Sequence, residues 1–256
     1  MMSRASENPV MSSEYSPDSQ LSPLRHVQHV LQVYLRALLY VPVYWVRNIL
    51  LKAAAWKWFV QDSQFRYALV QFYLRYIFVS PYTICREYFG RHSDETVQTI
   101  YGETPLATFQ TIAELANIQA GESVYELGCG RGIGVFWLRL FKLAKCTGID
   151  VNPVFIRKAN EVRQATRLDN LTFAKANFLE YDMADADVIY LYGTALQDAT
   201  ISKLAKHFKH LRSGTRIVTV SYPLSEYASA VDFPIMGVSK ARFLWGDTTL
   251  YLQVKA

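Results

Sequence analysis

Long uncharged apolar runs are scarce in the aromatic N-terminal third of this 256-residue chain. The longest there is Ala37–Val46, ten residues between Arg36 and Arg47. A membrane-spanning helix needs roughly twenty, so no segment of this part reads cleanly as one. Cysteine is scarce as well. Cys85, Cys129 and Cys146 are widely separated and odd in number, which argues against a disulfide framework and fits a reduced compartment. Nothing at the N-terminus reads as a cleavable signal, because the first twenty residues are polar and Ser-rich. A metal-ligand cluster is also missing. His207 and His210 lie three apart on a helix beside Lys206 and Lys209, without a nearby acid or third ligand, so no metal is expected.

A general basic excess is lacking too, and this localises the net charge of +5. Residues 21–90 hold eight Lys/Arg against Asp62 and Glu87, whereas residues 91–256 hold eighteen basic against seventeen acidic side chains. The basic stretch also carries sixteen aromatic residues, among them Trp45, Trp56 and Trp58. Three regions follow: a disordered tail over 1–20, a basic aromatic helical region over 21–90, and a catalytic-type α/β domain over 91–256. The pattern of 21–90 is helical and is expected to break at Pro42 and again near Pro81. Aromatic rings and long cationic chains suit the headgroup layer of a membrane, with a lipid surface as partner. Two other readings stand beside that one: a soluble helical cap whose aromatics are core, and true spanning with the arginines buried against protein.

What the chain does have is a glycine turn at Glu126-Leu127-Gly128-Cys129-Gly130-Arg131-Gly132. Three glycines at alternate positions permit positive φ and close approach of a ligand, at the carboxyl end of a first buried strand. A dinucleotide fingerprint needs a third glycine where Ile133 stands, and a P-loop needs a Lys-Ser/Thr pair that is absent. Glu126 would repel a pyrophosphate and favour a cationic, amino-bearing ligand. S-adenosylmethionine (SAM), with a sulfonium, an ammonium and no phosphate, meets that requirement. Asp150, twenty-two residues after Gly128, ends a second strand where an acid can accept both ribose hydroxyls; its other reading is an N-cap for the helix near Pro153. Asn177 and Phe178 follow the third strand, as an amide for the adenine edge and a ring to pack on it, or as an ordinary turn. Cys129 reads as a small spacer, not a nucleophile.

Strands and helices alternate from Ser123 onward, which predicts a doubly wound, mostly parallel sheet. The expected strands are Ser123–Leu127, Cys146–Asp150, Leu171–Ala174, Asp187–Tyr192 and Thr215–Tyr222. The expected helices are Ile133–Lys142, Pro153–Thr166 and Thr200–Leu211. An antiparallel hairpin, Lys240–Trp245 and Thr248–Lys255 around Gly246-Asp247, closes a seven-stranded set. Upstream, Pro105 suits the first turn of a helix Leu106–Ile118, with Glu103 or Thr104 near its N-cap.

The glycine turn resembles motif I of the class I SAM-dependent methyltransferases. Together with Tyr101-Gly102-Glu103-Thr104, Asn177-Phe178-Leu179 and Val188–Gly193, it resembles the lysine methyltransferases typified by the non-SET histone enzyme. It is also similar to the membrane-associated family that methylates the ATP synthase c-subunit. The resemblance covers about residues 100–225 and implies a Rossmann-like sheet, SAM as cofactor, and Glu103 and Thr104 lining its pocket beside Glu126, Gly128, Gly130 and Asp150. Where the histone family has Asn-Asn-Phe after the fourth strand, this chain has Tyr192-Gly193-Thr194, so Tyr190 and Tyr192 are the candidate acceptor-channel walls. No catalytic base is expected, because methyl transfer to an amine asks for alignment, desolvation and a neutral nucleophile. The expected function is a membrane-associated SAM-dependent methyltransferase acting on a protein lysine, with the catalytic domain facing the cytoplasm and no nucleic acid as partner. Two alternatives remain: a lipid or quinone acceptor, and a non-catalytic SAM-binding interaction module.

Overall fold

The computed structural model describes the backbone over residues 23–91 and 101–256, with side chains over 41–90 and 101–256. The tail expected over residues 1–20 lies outside the described residues. Packing divides the chain into Met1–Trp45 and Val46–Ala256. The described part of the first unit is the beginning of helix α1 (Pro23–Gln61), which continues through Pro42. The expected break there does not occur: an interior proline costs a helix about 3 kcal/mol, and the turns on either side carry this one through a helix of 39 residues. The break falls instead at Asp62, whose carboxylate accepts from Phe65 N at 2.6 Å and starts α2 (Ser63–Tyr76). Helix α3 (Pro81–Arg91) begins at the second proline.

In the second unit, α4 (Leu106–Leu115) leads into β1 (Ser123–Leu127), α5 (Ile133–Lys142), β2 (Lys145–Asp150), α6 (Pro153–Thr166) and β3 (Leu171–Lys175). Then come β4 (Val188–Leu191), α7 (Asp198–His207) with a 3-10 turn after it, β5 (Arg216–Val220), β6 (Ile235–Arg242) and β7 (Asp247–Val254). The seven strands lie in the order β3-β2-β1-β4-β5-β7-β6. All pairs are parallel except β5–β7 and β6–β7. The doubly wound sheet and its closing hairpin are therefore present. The hairpin differs in detail: β6 starts at Ile235, and Phe243 and Gly246 exchange backbone hydrogen bonds, so the two-residue turn is Leu244-Trp245 and not Gly246-Asp247.

Strand order reverses between β1 and β4, which opens a crevice at their carboxyl ends. Period-two alternation decides what faces it. Val124 and Tyr190 belong to the core under α1–α6, whereas Tyr125, Leu127, Ile189 and Leu191 belong to the core under α7. Glu126, between Tyr125 and Leu127, is thereby directed to the first face.

The helices from Val46 onward belong to that first core. Phe65, Phe72 and Trp58 are buried, and Phe72 meets Phe136 edge-on at 5.1 Å while Trp58 meets Trp137 at 5.5 Å. Other apolar residues of the same helices are exposed, among them Trp56, Tyr73 and Leu74. No helix among the described residues is long and apolar enough to cross a membrane. Since α2 is part of the domain's packing, Phe72→Ala should cost about 3–5 kcal/mol. Urea denaturation measures this, and a loss below about 1 kcal/mol would mean that α2 merely rests on the surface.

Candidate active site

The turn from β1 into α5 is built on left-handed backbone. Gly128, Gly130 and Gly132 have φ of 71°, 52° and 81°, a region that costs other residues roughly 1–2 kcal/mol each. A Cβ on Gly132 would stand 2.4 Å from the Phe173 ring, whereas one on Gly128 would meet nothing within 4 Å. Gly128 is therefore the open floor of the turn. Backbone bonds from Gly128 N and Cys129 N to Ile149 O fasten it to β2. Cys129 is buried with its thiol pushed up by burial first and by Asp150 second, which suits a spacer.

Asp150 accepts from Gly130 N and from Asn152 N, both at 2.8 Å. The cap of α6 is Asn152, whose Oδ1 accepts from Val154 N at 3.0 Å. Asp150 is thus not spent as a cap, and each of its oxygens keeps a lone pair. Burial raises its pKa, against the lowering effect of the two backbone donors.

Glu126 is buried, and its Oε2 has no hydrogen-bond partner. Burial first, then Glu103 and Asp150, push its carboxyl well above the usual range. An orphaned buried carboxylate is costly, and a cation placed against it removes that cost. The residues present therefore fit a cofactor with an ammonium group.

Two cavities open at this end of the sheet. The smaller, about 170 Å³, is lined by Gly130, Asp150, Val151, Phe155, Phe178 and Leu191. The larger, about 470 Å³, is lined by Thr104, Glu126, Gly132 and Gly134, and extends outward to α1 and α2. Tyr101, Gly102, Gly128 and Tyr192 line both.

Neither Glu103 nor Thr104 caps α4; Pro105 holds that position without a side-chain bond. Glu103 instead accepts from both Arg131 Nε and Arg131 Nη2, the latter at 2.5 Å, and from Tyr101 Oη at 2.5 Å. Thr104 Oγ1 pairs with Tyr190 Oη at 2.5 Å. The segment 101–104 is thus clamped over the glycine turn as a roof. Tyr190 is buried, paired with Thr104, and lines neither cavity. Tyr192 stacks on Phe243 at 4.9 Å and accepts from Trp245 Nε1 at 2.5 Å. Asn177 also lies outside both cavities; its Oδ1 closes a turn with Leu179 N at 3.0 Å. His207 Nε2 pairs with Tyr181 O at 2.9 Å. No cluster of metal-ligand type occurs among the described residues.

The model of the ANTKMT methyltransferase domain matches residues 126–230. A protein-lysine N-methyltransferase of Saccharolobus islandicus (strain REY15A) is 28% identical over 126 residues, 48% of this chain and 77% of the relative. Methyltransferase phqN of Penicillium fellutanum is 28% identical over 109 residues, 41% of this chain and 33% of that protein. Among solved structures, the RNA methyltransferase of Salinibacter ruber in complex with S-adenosyl-L-homocysteine superposes with a TM-score of 0.50 at 24% identity, covering 60% of this chain and 93% of that one. The last shows the fold alone.

The chain is a class I SAM-dependent methyltransferase. The methyltransferase contains site residues that the sequence reading passed over. Arg131 sits inside the motif, and its ion pair with Glu103 required the fold to bring the roof down. Trp56, Phe59 and Tyr73 reach the larger cavity only through tertiary packing, and a hairpin position for Trp245 gives no local signal.

The state of Glu126 has a sign that solution measurement can read. A raised carboxyl binds a proton in the folded chain that the unfolded chain has lost. Stability without cofactor should therefore fall as pH climbs from the ordinary carboxylate range through the raised value. Cationic SAM favours the ionised form, so binding in that window should release a proton, and affinity should rise with pH. Calorimetry in two buffers of different ionisation enthalpy measures the release. Glu126→Gln should abolish both the release and the pH dependence; an unchanged release in that variant would remove Glu126 from the cofactor's cation.

Proposed function

We propose that the enzyme N-methylates a lysine of a protein substrate, with the cofactor held between the two cavities. Asp150 and the Gly130 turn hold the ribose, Phe178 packs on the adenine side, and Glu126 faces the ammonium. Glu103 acts through Arg131 to hold the roof, and Thr104 closes it against Tyr190. When bound, SAM supplies a methyl on a sulfonium, so that the acceptor lone pair forms the new N–C bond as the C–S pair returns to sulfur. The chain's part is to align that nitrogen, exclude water and admit it neutral. A wall of aromatic and aliphatic side chains favours the neutral amine by desolvation.

The observation carrying the reading is the likeness to the archaeal protein-lysine N-methyltransferase over most of that relative's length. Tyr192, on both cavities and stacked on Phe243, supports it as the wall nearest the transfer point. Labelled SAM should place methyl-lysine in the protein fraction of membranes from a deletion strain, detected after acid hydrolysis. Asp150→Ala should bind SAM more weakly by about 1.5–3 kcal/mol and slow the labelling in proportion at low SAM. Label confined to the lipid-extractable fraction would replace lysine with a membrane-resident small molecule.

Attachment to a lipid surface belongs to the same proposal, with the active site on the cytoplasmic side where SAM is made. Its support is the exposed apolar set of α1 and α2, including Ile49, Leu50, Trp56, Tyr73 and Leu74, beside Lys52 and Lys57. Full-length enzyme should float with anionic vesicles at low salt and detach as salt screens charges beyond roughly 10 Å. Protein that stays with the soluble fraction at low salt would exclude this attachment.

A further inference from the structure

The larger cavity has more wall than a cofactor's amino-acid half can use. Its inner end is Glu126, Gly128, Gly132 and Gly134, and its outer end is a different surface altogether. There α1 contributes Leu51, Lys52, Ala55, Trp56 and Phe59, and α2 contributes Leu69 and Tyr73. These helices are fixed in place. Arg47 Nη1 donates to Asp247 Oδ1 at 2.7 Å and to Phe243 O at 3.0 Å, and Lys57 Nζ donates to Gln110 Oε1 at 2.7 Å. Trp58 anchors the underside of α1 against Trp137, while Trp56 and Phe59 stack at 5.0 Å beside the opening.

The four residues common to both cavities mark where donor and acceptor must meet. Approach from the smaller cavity is taken by the groups around Asp150, and from the inner end by those around Glu126. The remaining approach runs along α1 and α2. We propose that this wall is the acceptor site, and that it takes a slim, unbranched aliphatic arm ending in an amine. The proposal rests on the reading of the enzyme as an amine methyltransferase and names what selects the substrate. Three features set the class. Apart from Lys52 and the amide of Asn48, the outer wall is aliphatic and aromatic, which suits methylenes. The wall from α1 and α2 contains no acid, and Glu103, which also lines the cavity, belongs to the roof and is already held by Arg131 and Tyr101, so nothing on the outer wall holds an ammonium. Its one charge, Lys52, repels a protonated amine and leaves the neutral, nucleophilic form favoured. The helices before the α/β domain are thereby part of the specificity apparatus, whatever surface they also bind.

Ligand binding tests this without turnover. The probe is a S-adenosylhomocysteine analogue in which nitrogen replaces sulfur and carries a pentyl chain ending in an amine; plain S-adenosylhomocysteine is the control. Ala55→Trp fills the passage and should weaken the analogue by about 30-fold, with S-adenosylhomocysteine unchanged within about twofold. Lys52→Glu alters an exposed side chain and should do the opposite, tightening the analogue by about threefold at low salt, again without effect on the control. Ala55→Trp weakening both ligands equally, or neither, would overturn the proposal, as would an unchanged analogue affinity in Lys52→Glu. If the analogue behaves as expected while label appears outside lysine, the lysine reading fails and the channel stands. If methyl-lysine forms while the analogue ignores both variants, the acceptor enters elsewhere.

Discussion

A buried carboxylate without a partner is the constraint around which this site is arranged. Glu126 stands one residue before the end of β1, on the face that carries the helical core, with Oε2 unpaired. Leaving an ionised carboxylate there costs several kcal/mol, so the chain keeps it protonated or supplies a cation. Among the described residues no cationic side chain is paired with its Oε2. Arg131, the nearest basic residue in sequence, is turned outward to Glu103 and lies over the Tyr76 ring at 5.3 Å. The fold thus pairs its own guanidinium with Glu103 and leaves Glu126 Oε2 unpaired.

Arg131 in turn explains how the roof is held. The pair with Glu103 is bidentate, with a partly buried guanidinium, and Tyr101 adds its hydroxyl to the same carboxylate. Bidentate geometry fixes orientation as well as distance. Tyr101 is also packed on Phe155 of α6 and edge-on to Tyr82 of α3. The short segment 101–104 therefore gathers contacts from α3, α6, the glycine turn and β4. That makes it the place where the N-terminal helices and the cofactor turn are mechanically joined.

Much of this fold was legible in the chain because its signals are local. The strand–glycine–helix unit at 123–142, the Pro153 start of α6 and the last strand over 248–254 each depend on neighbours in sequence. The ends of α4 and β6 were misplaced where tertiary contacts decide: Thr104 leaves the cap position for Tyr190, and Gly237 of β6 sits against Leu115. Pro42 does not end α1, since a missing hydrogen bond does not by itself end a helix that its flanks sustain, whereas Asp62, an ordinary cap residue, starts α2. The aromatic density of 46–90 could not be sorted into core and surface from composition. Phe65 and Phe72 sit on the inner face of α2 and Tyr73 on the outer, a difference of one residue that only the packing partner defines.

That division gives the N-terminal helices two jobs from one sequence pattern. The inward aromatics bury against Phe136, Trp137 and Phe141 of α5 and so steady the helix that starts at the glycine turn. Gly134, in its first turn, has no room for a Cβ beside Phe109, at 1.9 Å, so α4, α5 and the turn are set as one rigid corner. The outward aromatics stand at the mouth of the larger cavity. A substitution on α1 or α2 therefore reaches the glycine turn through packing if it faces in, and the mouth of the larger cavity if it faces out.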